Sequence, residues 1–595
     1  MEDHQAPAHG SIGLQYVRVG ESRPIPDKVD WANAPSQFKL YRGCPKIPLG
    51  DHANGERATS TPLTFEQLGQ LLRDVYGLTR QGWTAPDELV SANPGGNARF
   101  HLSPPTTLRP VPAGGARYPC ELYLLAGRGQ PLPAGVYHYD PAHHCLDTIH
   151  DGDHTRVLAT SLRTYVETPQ DGVTESRAVA HQGVSPLQTQ GRPVETPQDG
   201  VTESRAVAHQ GVSPLQTQGR PAEPAQGTHS GPVSTHGLCL LITIAFWKNV
   251  FKYGEFSYRL HSLDAGVVIG QALAVCARHE LPTTVHFQFL DAELDRLLEL
   301  DSAYESVYAV ITLTDSPAAD QEAAGADALL DDQPTPVPQP AAPHHEVNQT
   351  QSIGLYPLPA KLHEVSMQQG SGPWPLGDSL PPALADAPAS VRSLPLPLAP
   401  LDLLEGLRRR RSSRGFFSPG PLTGQQLAGL LSPSLRGYSS DLGGDESAIQ
   451  HTMLFCAVHD VDGIDSGVYY YDPTGHTLEQ VSAGDVRAEL QAAVTSWMFN
   501  LFQVNLCFFP VANYERRLSV YGDRWYRVQN MEAGIIVQRL YLAAAALGLG
   551  CHTQLGFRVD AVNTLLGLGD SPLTSLIQVL IAPPHESGRS YEYKL

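Results

Sequence analysis

The residues most able to do chemistry begin with a basic run, Arg410-Arg411-Ser412-Ser413-Arg414, which stands just ahead of a predicted helix. An anion site needs fixed positive charge, a hydroxyl donor and free backbone N–H groups close together. A run of this kind at the start of a helix offers all three. The alternative is a solvated basic run beside a proline-rich segment. The run therefore predicts an anion site if the rest of the chain supports one.

A lysine and a tyrosine form the second cluster. Lys252 and Tyr253 follow an apolar segment. They could accept and donate a proton if burial lowers the pKa of the lysine. A surface lysine beside a packed tyrosine explains these two residues equally well. Lys252 is thus a candidate general base.

Two glycine-containing segments complete the set. Pro112-Ala113-Gly114-Gly115 leads towards a predicted strand and leaves its backbone bare, so a flat ligand could lie against it. Leu555-Gly556 lies in the turn after a predicted buried helix and has a similarly open backbone. Most glycine pairs are merely turns, so each segment is weak evidence by itself.

The composition argues against several kinds of partner. A formal net charge of −20 over 595 residues disfavours nucleic acid and anionic membrane surfaces. No apolar stretch is long enough to span a bilayer, and the N-terminus has no apolar run typical of a secretory signal. The eight cysteines form no CxxC motif. This pattern predicts reduced thiols in a cytoplasmic protein, without a metal site.

A 28-residue segment, 166–193, is repeated without change at 194–221. It is rich in Gln, Pro, Gly, Thr and Ser and contains little that could be buried. We predict a disordered surface insertion, with a partner-binding tether as the alternative.

A second, diverged repeat sets the architecture, because three markers occur twice in the same order. They are a Pro-Leu-Thr helix start (62–72 and 421–431), Gly-Val-Tyr-x-Tyr-Asp-Pro (135–141 and 467–473), and a Tyr-Gly pair followed by an arginine and an Ala-Gly pair (253–266 and 521–534). Chance does not readily give three markers in one order. The chain is therefore predicted to be a fused duplicate.

Each half interleaves helices and strands. A threonine-capped helix begins each half, and apolar strands and a long buried helix follow. The predicted strands and buried helix are strands 120–126, 238–246, 306–313, 453–458, 504–512 and 576–581, and helix 532–547. This pattern indicates the α+β class with a central sheet in each half.

The predicted domain organisation follows from the repeat and from composition. The parts are an N-terminal tail (1–29), a first domain (30–315) with the insertion 166–221, a Pro/Ala-rich linker (316–400) and a second domain (401–595). The linker is expected to be semi-extended, since it has no pattern that would build a core.

Taken together, these motifs resemble the nitroreductase superfamily. The most similar branch is the SagB-type dehydrogenases, which include thiazoline and oxazoline oxidases of peptide natural-product pathways. The resemblance covers both halves, but not the linker or the short repeat. It implies two tandem FMN-dependent nitroreductase-like α/β/α domains that form an intramolecular pseudo-dimer. FMN is the implied cofactor, held where the two halves meet.

The resemblance also implies a role for each cluster. The implied phosphate- and ribityl-binding residues are Arg410, Arg411, Ser412 and Arg414. Those that face the flavin ring are Leu555 and Gly556 from the same half and Pro112, Ala113, Gly114 and Gly115 from the other. Lys252 is the implied general base and Tyr253 the proton relay.

The two halves differ at the matching positions. The first half has Asp51-His52-Ala53-Asn54-Gly55 where the second has the basic run, and the second half has Val520 where the first has Lys252. We therefore predict one complete composite FMN site per chain, with the second site degenerate.

The predicted function is FMN-dependent dehydrogenation of an azoline ring or related group in a small-molecule or peptide-derived substrate. One alternative is an NAD(P)H-dependent reductase of nitro compounds or quinones. Another is a non-catalytic flavin-binding partner within a biosynthetic complex. Other enzymes of a biosynthetic cluster are accordingly expected partners.

Overall fold

The structure of the protein is a computed structural model. It describes residues 11–17, 29, 34–50, 63–84, 106–162, 237–313, 345–346, 351–369, 386–399, 401–442, 449, 451–495, 499–569, 571–585 and 590–594. The repeated segment 166–221 and positions 51–55 lie outside these described residues. One compact unit comprises 1–164 together with 232–595, and so it includes the described parts of both halves.

The described helices and strands alternate along the chain. The helices are α1 (Ile12–Gln15), α2 (Phe65–Tyr76), α3 (Thr155–Leu162), α4 (Trp247–Tyr253), α5 (Ser257–Arg278), α6 (Asp291–Leu297), α7 (Pro357–Ser366), α8 (Leu403–Arg409), α9 (Gly424–Ser434), α10 (Arg487–Ala493), α11 (Leu518–Tyr521), α12 (Arg524–Ala546) and α13 (Val559–Leu565). The strands are β1 (Tyr41–Arg42), β2 (Lys46–Pro48), β3 (Arg80–Thr84), β4 (Thr106–Leu108), β5 (Cys120–Ala126), β6 (Gly135–Asp140), β7 (Cys145–Asp151), β8 (Leu238–Ala245), β9 (Thr283–His286), β10 (Glu305–Leu313), β11 (His345–Glu346), β12 (Arg392–Pro395), β13 (Leu422–Thr423), β14 (Ser439–Ser440), β15 (Thr452–Val458), β16 (Val461–Asp462), β17 (Gly467–Asp472), β18 (Thr477–Ala483), β19 (Leu506–Asn513), β20 (Gly550–Gln554), β21 (Leu573–Ser575), β22 (Gln578–Ala582) and β23 (Ser590–Lys594).

Helices α2 and α9 begin where the threonines predict. Thr64 Oγ1 accepts the N–H of Gln67 at 3.2 Å, and the Gln67 side chain accepts the N–H of Thr64 at 2.7 Å. Thr423 and Gln426 make the same pair of bonds at 3.1 and 2.9 Å. Such a capping box satisfies amides that the first helical turn leaves unpaired. Both predicted helix starts are confirmed.

Each half has one large sheet, and the two sheets have matching strand orders. The first is β14-β9-β10-β8-β5-β6-β7-β2, and the second is β12-β18-β17-β15-β19-β22-β20 with β21 beside β19. Neighbouring strands of these sheets are antiparallel, except that β14 lies parallel to β9. The order from β9 to β7 corresponds to the order from β20 to β18. The halves therefore share one topology.

The two long helices, α5 and α12, cross where each carries a glycine. A Cβ atom on Gly266 would overlap the carbonyl oxygen of Met531, and a Cβ atom on Gly534 would overlap that of Leu263. Glycine is needed because only its bare backbone permits so close an approach. Apolar side chains of both helices belong to one continuous core. The reciprocal crossing joins the halves.

Two buried arginines strengthen this junction in the same reciprocal way. Arg259 of the first half donates to the carbonyl oxygens of Ser575 (3.2 Å) and Leu576 in the second. Arg527 of the second half donates to the carbonyl oxygen of Val307 in the first at 2.8 Å. Each arginine thus extends from the core helix of one half to the end of a sheet in the other.

The glycine crossing gives a stability prediction. Gly266→Ala should cost about 3 kcal/mol of unfolding free energy, at the upper end for overpacking, because the added methyl would overlap the backbone of Met531, which cannot turn aside as a side chain can. Denaturant unfolding monitored by circular dichroism measures it. Gly429→Ala is the matched control, since its methyl would meet only the Leu547 side chain at 3.5 Å. That change should stabilise by up to about 1 kcal/mol, as expected for helical glycine. Equal losses in both variants would contradict this account of the crossing.

The linker prediction needs correction. In the described part of 316–400, α7 buries Leu362 and His363, and β12 extends the second sheet by pairing with β18. Helix α7 was not predicted from the sequence because it begins with prolines, which are typical of a linker. Proline is tolerated there because the first turn needs no intrahelical N–H bonds. The domain boundaries themselves stay predictions.

The expectation that no apolar stretch is long enough to span a bilayer needs correction. Among the described residues, one helical stretch, Trp247–Arg278, is long and apolar enough to cross a membrane by length and composition. It contains α4 and α5, and most of its apolar window is buried inside the protein. An apolar helix packed in a core passes the same test. This stretch accordingly is the core helix of the first half.

Candidate active site

The structure brings the glycine loop and the Lys-Tyr pair together. A Cβ atom on Gly115 would lie 2.7 Å from Lys252 Nζ and would overlap the hydroxyl of Tyr253. Gly115 also has a φ of 59°, a conformation that favours glycine. The loop can therefore approach these side chains only because this position lacks a side chain.

Lys252 and Tyr253 end helix α4, and both are half-buried. Burial, and then the positive charge of Arg117, lower the pKa of Lys252. Burial raises the pKa of Tyr253, with a smaller contribution from Asp264. A lysine with a lowered pKa is more often neutral and so can accept a proton. The Lys-Tyr pair thus has the electrostatic setting that a general base and a neutral proton donor need.

The basic run does not stand at the start of a helix, contrary to the sequence interpretation. Helix α8 ends at Arg409, directly before the run, and α9 begins only at Gly424. Arg408 and Arg409 lie in the last turn of α8, where positive charge is favourable. Any anion site here must depend on side chains instead of a helix N-terminus.

Arg410 supplies such a side chain. It is only 5% exposed, and its Nη2 donates to the carbonyl oxygen of Arg109 in the first half at 3.0 Å. Its Nε and Nη1 atoms are buried without a hydrogen-bond partner among the described residues. An unpaired buried charge is costly, so an arginine placed like this fits an anionic group that binds beside it.

Hydroxyl groups lie close to Arg410. Ser412 Oγ donates to the hydroxyl of Tyr541 at 3.2 Å, and that hydroxyl lies 3.4 Å from Thr553 Oγ1. The guanidinium of Arg410 also lies over the Tyr541 ring, 5.6 Å from its centre. Together these groups offer the positive charge and hydroxyl donors that a phosphate ester needs.

The rest of the run lies along strand β20. The N–H of Ser413 donates to the carbonyl oxygen of Cys551 at 2.9 Å. Arg411 and Arg414 are exposed, and the charge of Arg414 adds to burial in lowering the pKa of His552 to about 4. Because β20 leads into the predicted turn, the run and this turn share one edge of the second half.

That turn holds Leu555 and Gly556 after β20. The carbonyl oxygen of Gly556 accepts the N–H of Thr495 at 2.8 Å, and Leu555 packs against the core. Among the described residues, the N–H groups of Leu555 and Gly556 have no hydrogen-bond acceptor. They are available to a ligand.

The matching turn of the first half is closed instead. The carboxylate of Asp441 accepts the N–H groups of Phe287 at 2.9 Å and Gln288 at 2.8 Å. Strand β14 holds Asp441 in place by pairing with β9, and Tyr521 donates to the carbonyl oxygen of Leu442 at 2.7 Å. In the first half, Asp441 therefore occupies the two backbone N–H groups whose counterparts, at Leu555 and Gly556, are available in the second half.

Sequence reasoning missed three of these contributors. Tyr541 is the single hydroxyl within the predicted apolar helix 532–547, and Asp441 lies in a glycine-containing segment that has the composition of a turn. Arg80, which donates to the carbonyl oxygen of Arg410, gives no local signal. All three act across long sequence separations, so only the fold brings them to the site.

One group among the described residues has metal-ligand spacing. Asp140, Cys145 and Asp147 place ligand atoms within 4.8 Å of one another. Asp147 already pairs with Lys46 and lies 3.1 Å from His138 Nδ1. Its oxygens are therefore engaged by the protein, and the group supports no metal centre.

Comparison with known proteins gives the family. The Nitroreductase family model matches residues 407–580. A Methanocaldococcus jannaschii protein described as "Putative nitroreductase" is 32% identical over 177 residues, which cover 29% of this chain and 88% of that protein. The trifolitoxin-processing protein of Rhizobium leguminosarum is 43% identical over 58 residues, 10% of this chain and 14% of that protein.

The fold likeness extends further along the chain. A crystal structure from Anabaena variabilis, described as "a putative nitroreductase", superposes on this chain with a TM-score of 0.67 at 22% identity. The alignment covers 97% of this chain and all of that one, so both halves take part. With the archaeal relative matched over most of its length, the conclusion is plain: this chain belongs to the nitroreductase family.

Proposed function

We propose that the chain is an FMN-dependent dehydrogenase of the SagB type with one composite flavin site. The observation that carries this proposal is the buried side chain of Arg410: its Nε and Nη1 have no partner among the described residues, while its Nη2 donates to the carbonyl oxygen of Arg109 in the other half. The family makes an oxidoreductase the general class of activity. The cofactor, the site residues and the substrate belong to the proposal.

The residues present fit FMN. Arg410 and Ser412 would hold the phosphate and ribityl chain, with Arg411 and Arg414 close by on the surface. The open N–H groups of Leu555 and Gly556 and the loop Pro112 to Gly115 would face the ring. Bound FMN would supply a hydride acceptor for oxidation of the substrate.

Lys252 would remove the proton that a dehydrogenation releases. Its lowered pKa favours the neutral amine, and Tyr253 beside it can pass the proton on. The loop at Gly115 lies against both side chains, so a flavin ring that faces this loop would be close to Lys252. An external oxidant such as oxygen would restore the cofactor between turnovers.

The proposed substrate is an azoline ring or related group in a peptide-derived compound. The short match to a protein that processes trifolitoxin supports a peptide-type substrate, and the Lys-Tyr pair supports the SagB-type branch. A chain with this substrate would work beside the enzymes that make the azoline.

The asymmetry of the halves supports a single flavin per chain. Asp441 takes the two amide donors of the first half, whereas those at Leu555 and Gly556 stay open. Lys252 and the basic run also occur once each, and both serve the same composite site.

The deciding experiment is the visible absorption spectrum of the purified protein, with the released flavin identified and counted. We expect one FMN per chain. Two FMN per chain would contradict closure of the other site by Asp441. No FMN, even after incubation with an excess, would overturn the proposed function and favour a non-catalytic partner.

A further inference from the structure

Asp264 touches two separate segments of the candidate site with its two oxygens. It lies on α5 and is 6% exposed. Its Oδ1 accepts the N–H of Gly114 in the glycine loop at 3.3 Å. Its Oδ2 accepts the Nδ2–H of Asn249 at 3.1 Å. Asn249 belongs to α4, one turn ahead of Tyr253, so a single carboxylate joins the loop to the helix that carries the Lys-Tyr pair.

We infer that Asp264 is a positioning residue, which fixes the glycine loop against Lys252 and Tyr253. The inference rests on the proposed function and deepens it. Apart from this link, the loop contacts α4 at Gly115, which lies against Lys252 and Tyr253, and at Arg117, which lies over the Phe251 ring. With it, their spacing is set by two hydrogen bonds to one rigid core helix.

The residue at the matching position of the second half does not make the same link. Glu532 stands at the matching position of α12, but it accepts bonds from Thr452 at 2.8 Å and Tyr438 at 3.4 Å. The residue that matches Asn249 is Arg517, whose charge acts on Glu532; among the described residues, no hydrogen bond joins Glu532 to Arg517 or to α11. The second half also has Val520 in place of the lysine. Asp264 thus links a loop to a helix in the half that has a base to position.

The surroundings of Asp264 explain how the link responds to pH. The titratable groups that face it are Tyr76, Cys120 and Tyr253, and none of them is charged near neutral pH. Burial raises the pKa of Asp264 to about 7, while the bonds from Asn249 and Gly114 act in the opposite direction. Above this pKa both oxygens accept hydrogen bonds. Below it one oxygen carries a proton, and the link weakens.

The direct test is amide hydrogen exchange in the flavin-free full-length chain. Asp264→Asn keeps the shape but leaves only one acceptor oxygen for two donors. We expect exchange in the loop around Gly114 to rise about tenfold, as loss of one hydrogen bond predicts. Glu532→Gln, the matched control, should leave that loop unchanged. Unchanged exchange in Asp264→Asn, or an equal rise in both variants, would overturn the inference.

A second test uses the FMN-loaded protein. In wild type, the visible circular dichroism of bound FMN should change with a midpoint near pH 7, the pKa of Asp264. Asp264→Asn should lose this transition, keep FMN, and lower kcat about 100-fold, since small misplacements carry such costs. Asn249→Ala removes only the bond to α4, so it should lower kcat and move the midpoint to higher pH, because that bond lowers the pKa of Asp264.

The two tests separate this inference from the proposed function. Changed exchange in a protein that never binds FMN would keep the positioning role and remove the flavin role. Retention of the pH transition in Asp264→Asn, with normal FMN content, would keep the flavin role and remove the positioning role of Asp264. If Asp264→Asn does not fold, exchange in Asn249→Ala decides, because α4 should then loosen near Lys252; protection unchanged there would overturn the inference.

Discussion

Replacement of Arg410 by alanine is expected to abolish FMN binding. The side chain is buried, and two of its nitrogens have no partner among the described residues, so they are available to a phosphate. Each hydrogen bond to a charged group contributes about 1.5–3 kcal/mol, and loss of two should weaken binding by more than about 100-fold. Titration of the flavin-free protein with FMN, followed by fluorescence quenching, measures the change.

The controls separate cofactor binding from folding. Arg411→Ala removes an exposed arginine from the same run and should change the FMN Kd only a few-fold, about 0.5 kcal/mol, as a surface charge does. Alanine at Asp51 or Asn54, at the matching positions of the first half, should leave binding intact. Arg410 also bonds to Arg109, so the Tm of each variant must be measured beside its Kd. Equal losses in both halves would contradict a composite site.

Replacement of Lys252 by alanine is expected to stop substrate dehydrogenation while FMN stays bound. Loss of a general base typically lowers a rate by about 10²–10⁴-fold. The lowered pKa of Lys252 fixes the pH dependence. The rate should rise with pH as the ammonium loses its proton, and it should level off at a lower pH than for an ordinary lysine. Single-turnover oxidation of an azoline peptide, measured across pH, tests both points.

The tyrosines of the two halves provide a matched comparison. Tyr253→Phe should slow turnover, whereas Tyr521→Phe removes a structural bond to Leu442 and should lower stability alone. A parallel assay of flavin reduction by NADPH tests the competing activity. Fast NADPH-driven reduction of quinones that is indifferent to Lys252→Ala would favour the nitro- and quinone-reductase alternative.

The elements that sequence predicted well are those with an unbroken apolar pattern. Strand β5 has the predicted bounds, and β8 and β10 differ from theirs by one residue. The buried helix α12 begins earlier than predicted, at Arg524, because Arg524 and Arg527 look like surface residues. Both are buried and paired with Asp291, which lies far away in the first half. Charges that find partners only in the folded chain cannot be recognised as core.

For the candidate site too, features with a local sequence pattern could be predicted, and contacts between distant segments could not. Residue types predicted the four clusters, and the structure brings the glycine loop to Lys252 and Arg410 to the neighbouring Arg109. The helix-start argument for the basic run failed because α8 occupies the preceding residues. Asp441 at Phe287 could not be foreseen, since the bond spans the two halves. Residue types that are close in sequence indicate the local chemistry, but hydrogen bonds between distant segments depend on the topology of the folded chain.

The crossing of α5 and α12 at Gly266 and Gly534 has a consequence for how the protein behaves at low concentration. Where two separate subunits enclose a cofactor, dilution pulls the subunits apart and the cofactor escapes with them. Here both helices belong to one polypeptide, so their effective concentration is set by the chain and not by the solution. The ratio of cofactor to protein should depend on free FMN alone, however far the protein itself is diluted.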